Sequence, residues 1–258
     1  MNPADRPLIL VVDDDVDICH NLSDILTDIG YRVEYAHDGP TALKMVREKA
    51  YDVALLDLKM PGMDGLELYR EIKRLRAGTV AILVTAYAGQ TAAEEALAAG
   101  AWQVLSKPVD FPRLLGLVDE ALSQPLVLVV DDDRALCANL WDLFRERGYR
   151  VGLAHTANEA AGQVGYANYR VVLIDMKMPD GDGGEVFRKV RAGNPQARTL
   201  LITGHRPETD ELVARVLAEG ADAVCYKPFE VPKLLATLKD LAGSGGERRG
   251  QNPAGGPG

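Results

Sequence analysis

The sequence has no long hydrophobic run, few cysteines, few aromatic residues and no surplus of base. Its longest apolar stretches, such as LILVV at 8–12 and LVLVV at 126–130, are five residues long and run into aspartate. Crossing a bilayer takes about 18 or more, so neither a transmembrane span nor a membrane partner is predicted. The opening segment MNPADRP carries acid and proline where a secretory leader carries base followed by an apolar core, so export is not expected. The three cysteines, Cys19, Cys137 and Cys225, are odd in number and far apart. That argues against a disulfide framework or a structural zinc site and for the reduced thiols of a cytoplasmic protein. Lys and Arg number 29 against 38 Asp and Glu, a formal charge of −9, without the basic excess that neutralises a phosphate backbone, so no nucleic-acid partner is expected. The remainder, 47% hydrophobic and 26% charged over 258 residues, is the composition of a folded chain with room for two compact domains.

The chain repeats itself. LILVVDDD at 8–15 recurs as LVLVVDDD at 126–133, GYRV at 30–33 recurs at 148–151, and DLKMPGMDG at 57–65 recurs as DMKMPDGDG at 175–183, all at an offset of 118. Thr85 maps to Thr203 at that offset, whereas Lys107-Pro108 maps to Lys227-Pro228 at 120. Two residues were therefore gained between threonine and lysine, and the fourth helix is the expected place. A period of this length is a whole small domain and not a solenoid repeat. Within the first copy, strands are predicted near 8–12, 32–36, 53–56, 80–84 and 102–105, and helices near 16–29, 39–50, 65–77, 90–99 and 110–122. Apolar runs with helix-length connections predict α/β architecture with a doubly wound, five-stranded parallel sheet in each of two domains, 6–122 and 126–242. Residues 123–125 form a linker too short to let the domains part. Its position predicts that it joins the ends opposite the functional strand ends. The stretch 243–258, rich in glycine and without apolar anchors, is expected to be disordered.

In an open parallel sheet, ligands bind beyond the carboxyl ends of the strands. Those positions hold Asp13, Asp14, Asp15, Asp57, Thr85 and Lys107 in the first copy, and Asp131, Asp132, Asp133, Asp175, Thr203 and Lys227 in the second. Two carboxylates about 5 Å apart at an effective dielectric near 20 repel by roughly 3 kcal/mol, which calls for a hard divalent cation. Mg2+ is the natural choice, because it also neutralises a phosphoryl group and accepts water in an incomplete shell. The lysine and threonine would meet the remaining phosphoryl oxygens.

At these residues the chain resembles the response-regulator receiver domain of two-component signalling, twice over. The resemblance implies a flavodoxin-like (βα)5 fold and a phosphoacceptor, not an enzyme in the usual sense. Asp57 and Asp175 would take phosphoryl groups from a histidine kinase or histidine phosphotransfer protein. Asp13, Asp14 and the Lys59 carbonyl would hold Mg2+ beside Asp57, as would Asp131, Asp132 and the Lys177 carbonyl beside Asp175. Lys107 and Lys227 would hold the phosphoryl group, Thr85 and Thr203 would act as switches, and both Lys-Pro bonds would be cis. Output would pass by protein contact.

Two positions depart from the family. Val104 and Val224 stand where an aromatic ring usually relays the switch. The pairs thought to set hydrolysis rate are Lys59 with Tyr87 and Lys177 with His205, whose bulk predicts slow loss of phosphate. Three other readings stand beside the tandem response regulator. One is the receiver portion of a hybrid kinase, and another is an inert scaffold. The third is a haloacid-dehalogenase-type phosphatase in which Asp13 and Asp15 mimic a D-x-D pair. The repeated lone aspartate in D-x-K-M-P speaks against the last. Cys19, Cys137, Trp102 and Trp141 read as packing residues, and His20, His37 and His155 lack metal-ligand spacing.

Overall fold

The computed structural model of the chain describes residues 6–86, 90–179, 181–204 and 207–243. The first half runs β1 (Leu8–Val12), α1 (Val16–Asp28), β2 (Arg32–Ala36), α2 (Gly39–Glu48), β3 (Val53–Asp57), α3 (Gly65–Leu75), β4 (Val80–Thr85), α4 (Gln90–Ala99), β5 (Gln103–Ser106) and α5 (Phe111–Ser123). In the second half follow β6 (Leu126–Val130), α6 (Arg134–Arg145), β7 (Arg150–Ala154), α7 (Ala157–Tyr166), β8 (Val171–Asp175) and the two-residue strands β9 (Lys177–Met178) and β10 (Gly181–Asp182). The chain continues through α8 (Gly183–Gly193), β11 (Arg198–Gly204), α9 (Pro207–Ala218), β12 (Ala223–Lys227) and α10 (Val231–Gly243). Each half builds a five-stranded sheet, ordered β2-β1-β3-β4-β5 and β12-β11-β8-β6-β7, with every pairing parallel. The antiparallel β9–β10 ribbon is an addition that the sequence pattern did not announce. No helix among the described residues is long and apolar enough to cross a membrane. The tail expected to be disordered lies, beyond Gly243, outside the described residues.

Alternation along the central strands divides one apolar run between two cores. From β1, Leu8, Leu10 and Val12 face one layer, while Ile9 and Val11 face the other. β6 repeats the division, with Leu126, Leu128 and Val130 on one side and Val127 and Val129 on the other. Aspartates and Thr156 start the helices: Asp15, Asp38, Asp64, Asp110, Asp133, Thr156 and Asp182 each accept a hydrogen bond from an amide of the first turn, which satisfies donors that a helix leaves open. The extra residues of the second copy fall in the fourth helix, where α9 has 12 residues against 10 in α4.

Only Gln124 and Pro125 separate α5 from β6, and the two units pack against each other. Arg150 at the start of β7 donates from Nη2 to Asp52 Oδ1 at 3.0 Å and to the Asp52 carbonyl at 3.2 Å, just before β3. Trp141 of α6 donates from Nε1 to the Ala77 carbonyl at 3.3 Å, lies against Gly100 and carries Lys73 Nζ 3.4 Å from its ring centroid. Arg145 Nη2 donates to the Ala101 carbonyl. The first unit thus presents the amino end of its sheet, as the linker predicted. The second presents its β7 edge with the flanking helix α6, a side-on arrangement that linker length did not specify.

Candidate functional site

β1 and β3 lie next to each other in the sheet, so the residues at their carboxyl ends meet. Carboxylate oxygens of Asp13, Asp14 and Asp57 lie within 4.8 Å of one another, and Asp131, Asp132 and Asp175 form the same group in the second unit. In each cluster the middle aspartate of the run is exposed and its two partners are buried. The third aspartate of each run is used differently: Asp15 Oδ1 accepts from the Asp17 and Ile18 amides, and Asp133 Oδ1 accepts from Ala135 and Leu136. Asp15 caps a helix, so the D-x-D pair of a dehalogenase-type phosphatase is not formed.

A lysine at the carboxyl end of the fifth strand, just past β5 in the first unit and last in β12 in the second, closes each cluster. Lys107 Nζ stands 2.7 Å from Asp13 Oδ2 and 3.3 Å from Asp57 Oδ2, and Lys227 Nζ stands 2.7 Å from Asp131 Oδ2 and 3.4 Å from Asp175 Oδ1. The Lys107-Pro108 and Lys227-Pro228 bonds are cis. Thr85 ends β4 and Thr203 is the penultimate residue of β11, and both are buried; Thr203 Oγ1 donates to the Gly204 carbonyl at 3.1 Å. Asp57 pairs across the sheet with Val84 and Asp175 with Ile202, which puts each threonine one residue beyond its aspartate's partner.

Electrostatics at both clusters are strained. Burial raises the Asp57 carboxyl above its ordinary value; Lys107 opposes this and Asp13 adds to it. Asp175 is pushed up to about 6 by burial, against Lys227 and with help from Asp131 and Asp132. Burial works against the ammoniums of Lys107 and Lys227, yet their carboxylate partners outweigh it and hold both above the usual lysine value. Asp57 Oδ1 is buried and makes no hydrogen bond. An acceptor without a donor, beside two further carboxylates, is an incomplete coordination shell, and the all-oxygen donor set suits Mg2+.

The side chains of Lys59 and Lys177 are exposed, and the Lys59 backbone amide works against the rise of the Asp57 carboxyl. Tyr87 and His205 lie outside the described residues. Val104 and Val224 are half-buried and pack on the cores beneath the third helices. Cys19 and Cys137 are buried, with thiols pushed up to about 11 and about 12 by burial.

Sequence reasoning missed two supports. Gly65 and Gly183 open the third helices so close to the strand that a Cβ would stand 2.1 Å from the Asp57 carbonyl oxygen and 2.5 Å from that of Asp175. His37 and His155 place Nδ1 at 3.4 and 3.1 Å from the carbonyls of Asp13 and Asp131, fixing each ring beside its cluster. Both pairs recur at the 118-residue offset, which was the available signal.

Both halves of the chain are similar to known proteins. The sequence model described as response regulator receiver domain matches residues 9–119 and 127–239. The response regulator receiver protein Anae109_2439 of Anaeromyxobacter sp. (strain Fw109-5) is 34% identical over 90% of this chain and 94% of its own length. The transcriptional regulatory protein ZraR of Salmonella typhi is 44% identical over 90% of this chain, which spans 45% of that protein. Among solved structures, the CheY-like receiver domain from Methanospirillum hungatei JF-1 is 37% identical, covering 45% of this chain and 94% of its own with a TM-score of 0.44.

Proposed function

We propose, since the chain belongs to the response-regulator receiver family in both of its halves, that it is a tandem-receiver response regulator loaded at Asp57 and Asp175 by a phosphohistidine. The donor is a histidine kinase or histidine phosphotransfer protein, and output passes by protein contact, in the cytoplasm. The observation that carries the reading is the twofold occurrence of one constellation, a buried strand-end aspartate facing two carboxylates and a lysine.

The carboxylate oxygen attacks phosphorus, the P–N bond breaks, and the leaving imidazole keeps the electron pair and takes a proton from solvent. Lys107 and Lys227 set an ammonium against the charge carried by the phosphoryl oxygens, and Thr85 and Thr203 supply a hydroxyl at the adjacent strand end. Asp13, Asp14, Asp57 and the Lys59 carbonyl would hold Mg2+ in the first unit, and Asp131, Asp132, Asp175 and the Lys177 carbonyl in the second. When bound, the ion neutralises developing charge on the phosphoryl oxygens.

Incubation with Mg2+ and acetyl phosphate, followed by intact-mass measurement, tests the assignment. The wild-type chain should gain two phosphoryl groups, Asp57→Asn and Asp175→Asn one each, and the double variant none. Undiminished labelling of the double variant would refute the assignment.

A further inference from the structure

Between the two units lies a cleft of about 1090 Å3, slightly larger than the roughly 300–1,000 Å3 common for small-molecule sites. One wall is the carboxyl end of α3, and the other is built by α6, the end of β7 and α7. Its charge is opposite to that of the chain. Arg70, Lys73, Arg74, Arg76 and Arg134 line it against only two carboxylates, Asp142 and Glu159, on a molecule whose formal charge is −9.

Several of these cations are held in place without being neutralised. Lys73 Nζ donates to the Ala99 carbonyl at 3.1 Å, and Arg76 donates to the carbonyls of Val46 and Arg47, each at 3.3 Å. Arg74 pairs with Glu71 at 2.7 Å, whereas Arg70 and Arg134 have no ion-pair partner among the described residues. Of the two acids, Glu159 is already engaged by the His155 amide at 2.7 Å. An aromatic ring completes the lining: Tyr166, at the end of α7, is 62% exposed, with the Arg76 guanidinium 5.4 Å from its ring centroid.

Guanidinium forks match phosphate oxygens in geometry as well as charge, and an exposed ring beside a fixed guanidinium offers a stacking face to a flat heterocycle. An acidic peptide would use the cations and leave the ring idle. We propose that the cleft binds a nucleotide, with its base on Tyr166 and its phosphates on the arginines and lysine of α3. The ligand would touch both units. His155, which also lines the cleft, places Nδ1 3.1 Å from the Asp131 carbonyl, so the cleft adjoins the second carboxylate cluster.

Isothermal titration of the full chain with ATP and with GTP, in Mg2+-free buffer containing EDTA, tests this without a cation to bridge phosphate to the aspartates. At least one nucleotide should bind at one site per chain. Arg70→Ala with Arg74→Ala should weaken it at least tenfold and Tyr166→Ala at least fivefold, while Tyr166→Phe retains it. Tripolyphosphate should bind more weakly than the nucleotide and ignore Tyr166→Ala. Absence of saturable binding of either nucleotide up to about 1 mM overturns the proposal, as does binding that the folded variants leave unchanged. Tripolyphosphate binding as tightly as the nucleotide, or hexaglutamate binding where nucleotides do not, overturns it equally. Acetyl phosphate labelling of Asp57 and Asp175 in the same variants reads the receiver function separately, so either reading can fail alone.

Discussion

At the scale of single residues, Asp175 holds the conflict from which the site's chemistry follows. Burial lifts its carboxyl from 3.8 to about 6, so in the metal-free protein the folded chain binds this proton more tightly than the unfolded chain. The sign follows from linkage: the contribution favours the fold at low pH and is lost as pH rises from about 4 through about 6. Asp175→Asn should remove that slope and stabilise the metal-free protein at pH 7.5 by about 1–3 kcal/mol. Urea unfolding in EDTA at pH 5 and pH 7.5 measures it, and the same pH slope in both proteins would contradict the argument. Asp14 and Asp132 are exposed members of the clusters, so Asp14→Ala and Asp132→Ala should weaken Mg2+ binding and phosphorylation of their own unit while leaving the metal-free fold intact. Titration with Mg2+ and site-resolved labelling check this; a marked loss of metal-free stability would assign the aspartates to folding instead. The aspartate run was legible as a cluster from its place at a strand end, and the family resemblance already gave Asp13 and Asp14 to the metal; the helix-capping use of Asp15 came from the structure. Asp13 and Asp14 join the cluster and Asp15 caps α1 because β1 ends at Val12 and the chain turns directly into the helix.

At the scale of elements, the third helix is seated by a glycine. A Cβ on Gly65 would stand 2.1 Å from the Asp57 carbonyl oxygen, and backbone cannot yield as a flexible side chain does. Gly65→Ala should destabilise the chain by about 2–4 kcal/mol and depress labelling at Asp57 while sparing Asp175. Gly116 is the control: it lies inside α5 and a Cβ there meets nothing within 4 Å, so Gly116→Ala should stabilise by about 0.5–1 kcal/mol. Thermal melts with site-resolved labelling separate the two outcomes. The fifth strands carry a further prediction. Val104 and Val224 already pack on the cores, so a beryllofluoride-loaded structure should show only modest movement of α4, α9 and the strands beside them. A large helix displacement would mean that another relay replaces the missing ring.

At the scale of the whole molecule, the seam makes two receivers into one body. Ala77 of the first unit packs with the core of the second, and the Arg150 side chain is only 7% exposed against Asp52. Trp141→Ala should cost about 3–5 kcal/mol and split a single thermal transition into two. Arg150→Ala should act in the same direction at about 1–3 kcal/mol, because Asp52 keeps the Leu8 amide as a partner and stays partly exposed. Differential scanning calorimetry distinguishes one transition from two, and one unchanged transition in both variants would show that the seam contributes little.

Sequence alone determined the duplicated parallel fold and the two clusters, because apolar runs ending in acid sit next to one another in any sheet of this strand order. It did not determine how the copies meet. GYRV occurs identically at 30–33 and 148–151, yet Arg32 is exposed on the edge strand β2 while Arg150 is buried against Asp52. Ser23 and Trp141 occupy equivalent places on α1 and α6, and only the second has a neighbouring unit to fill. Local pattern sets each strand and cap through short-range sterics and burial. Which of two identical edges is covered is decided by the packing of one whole unit on the other.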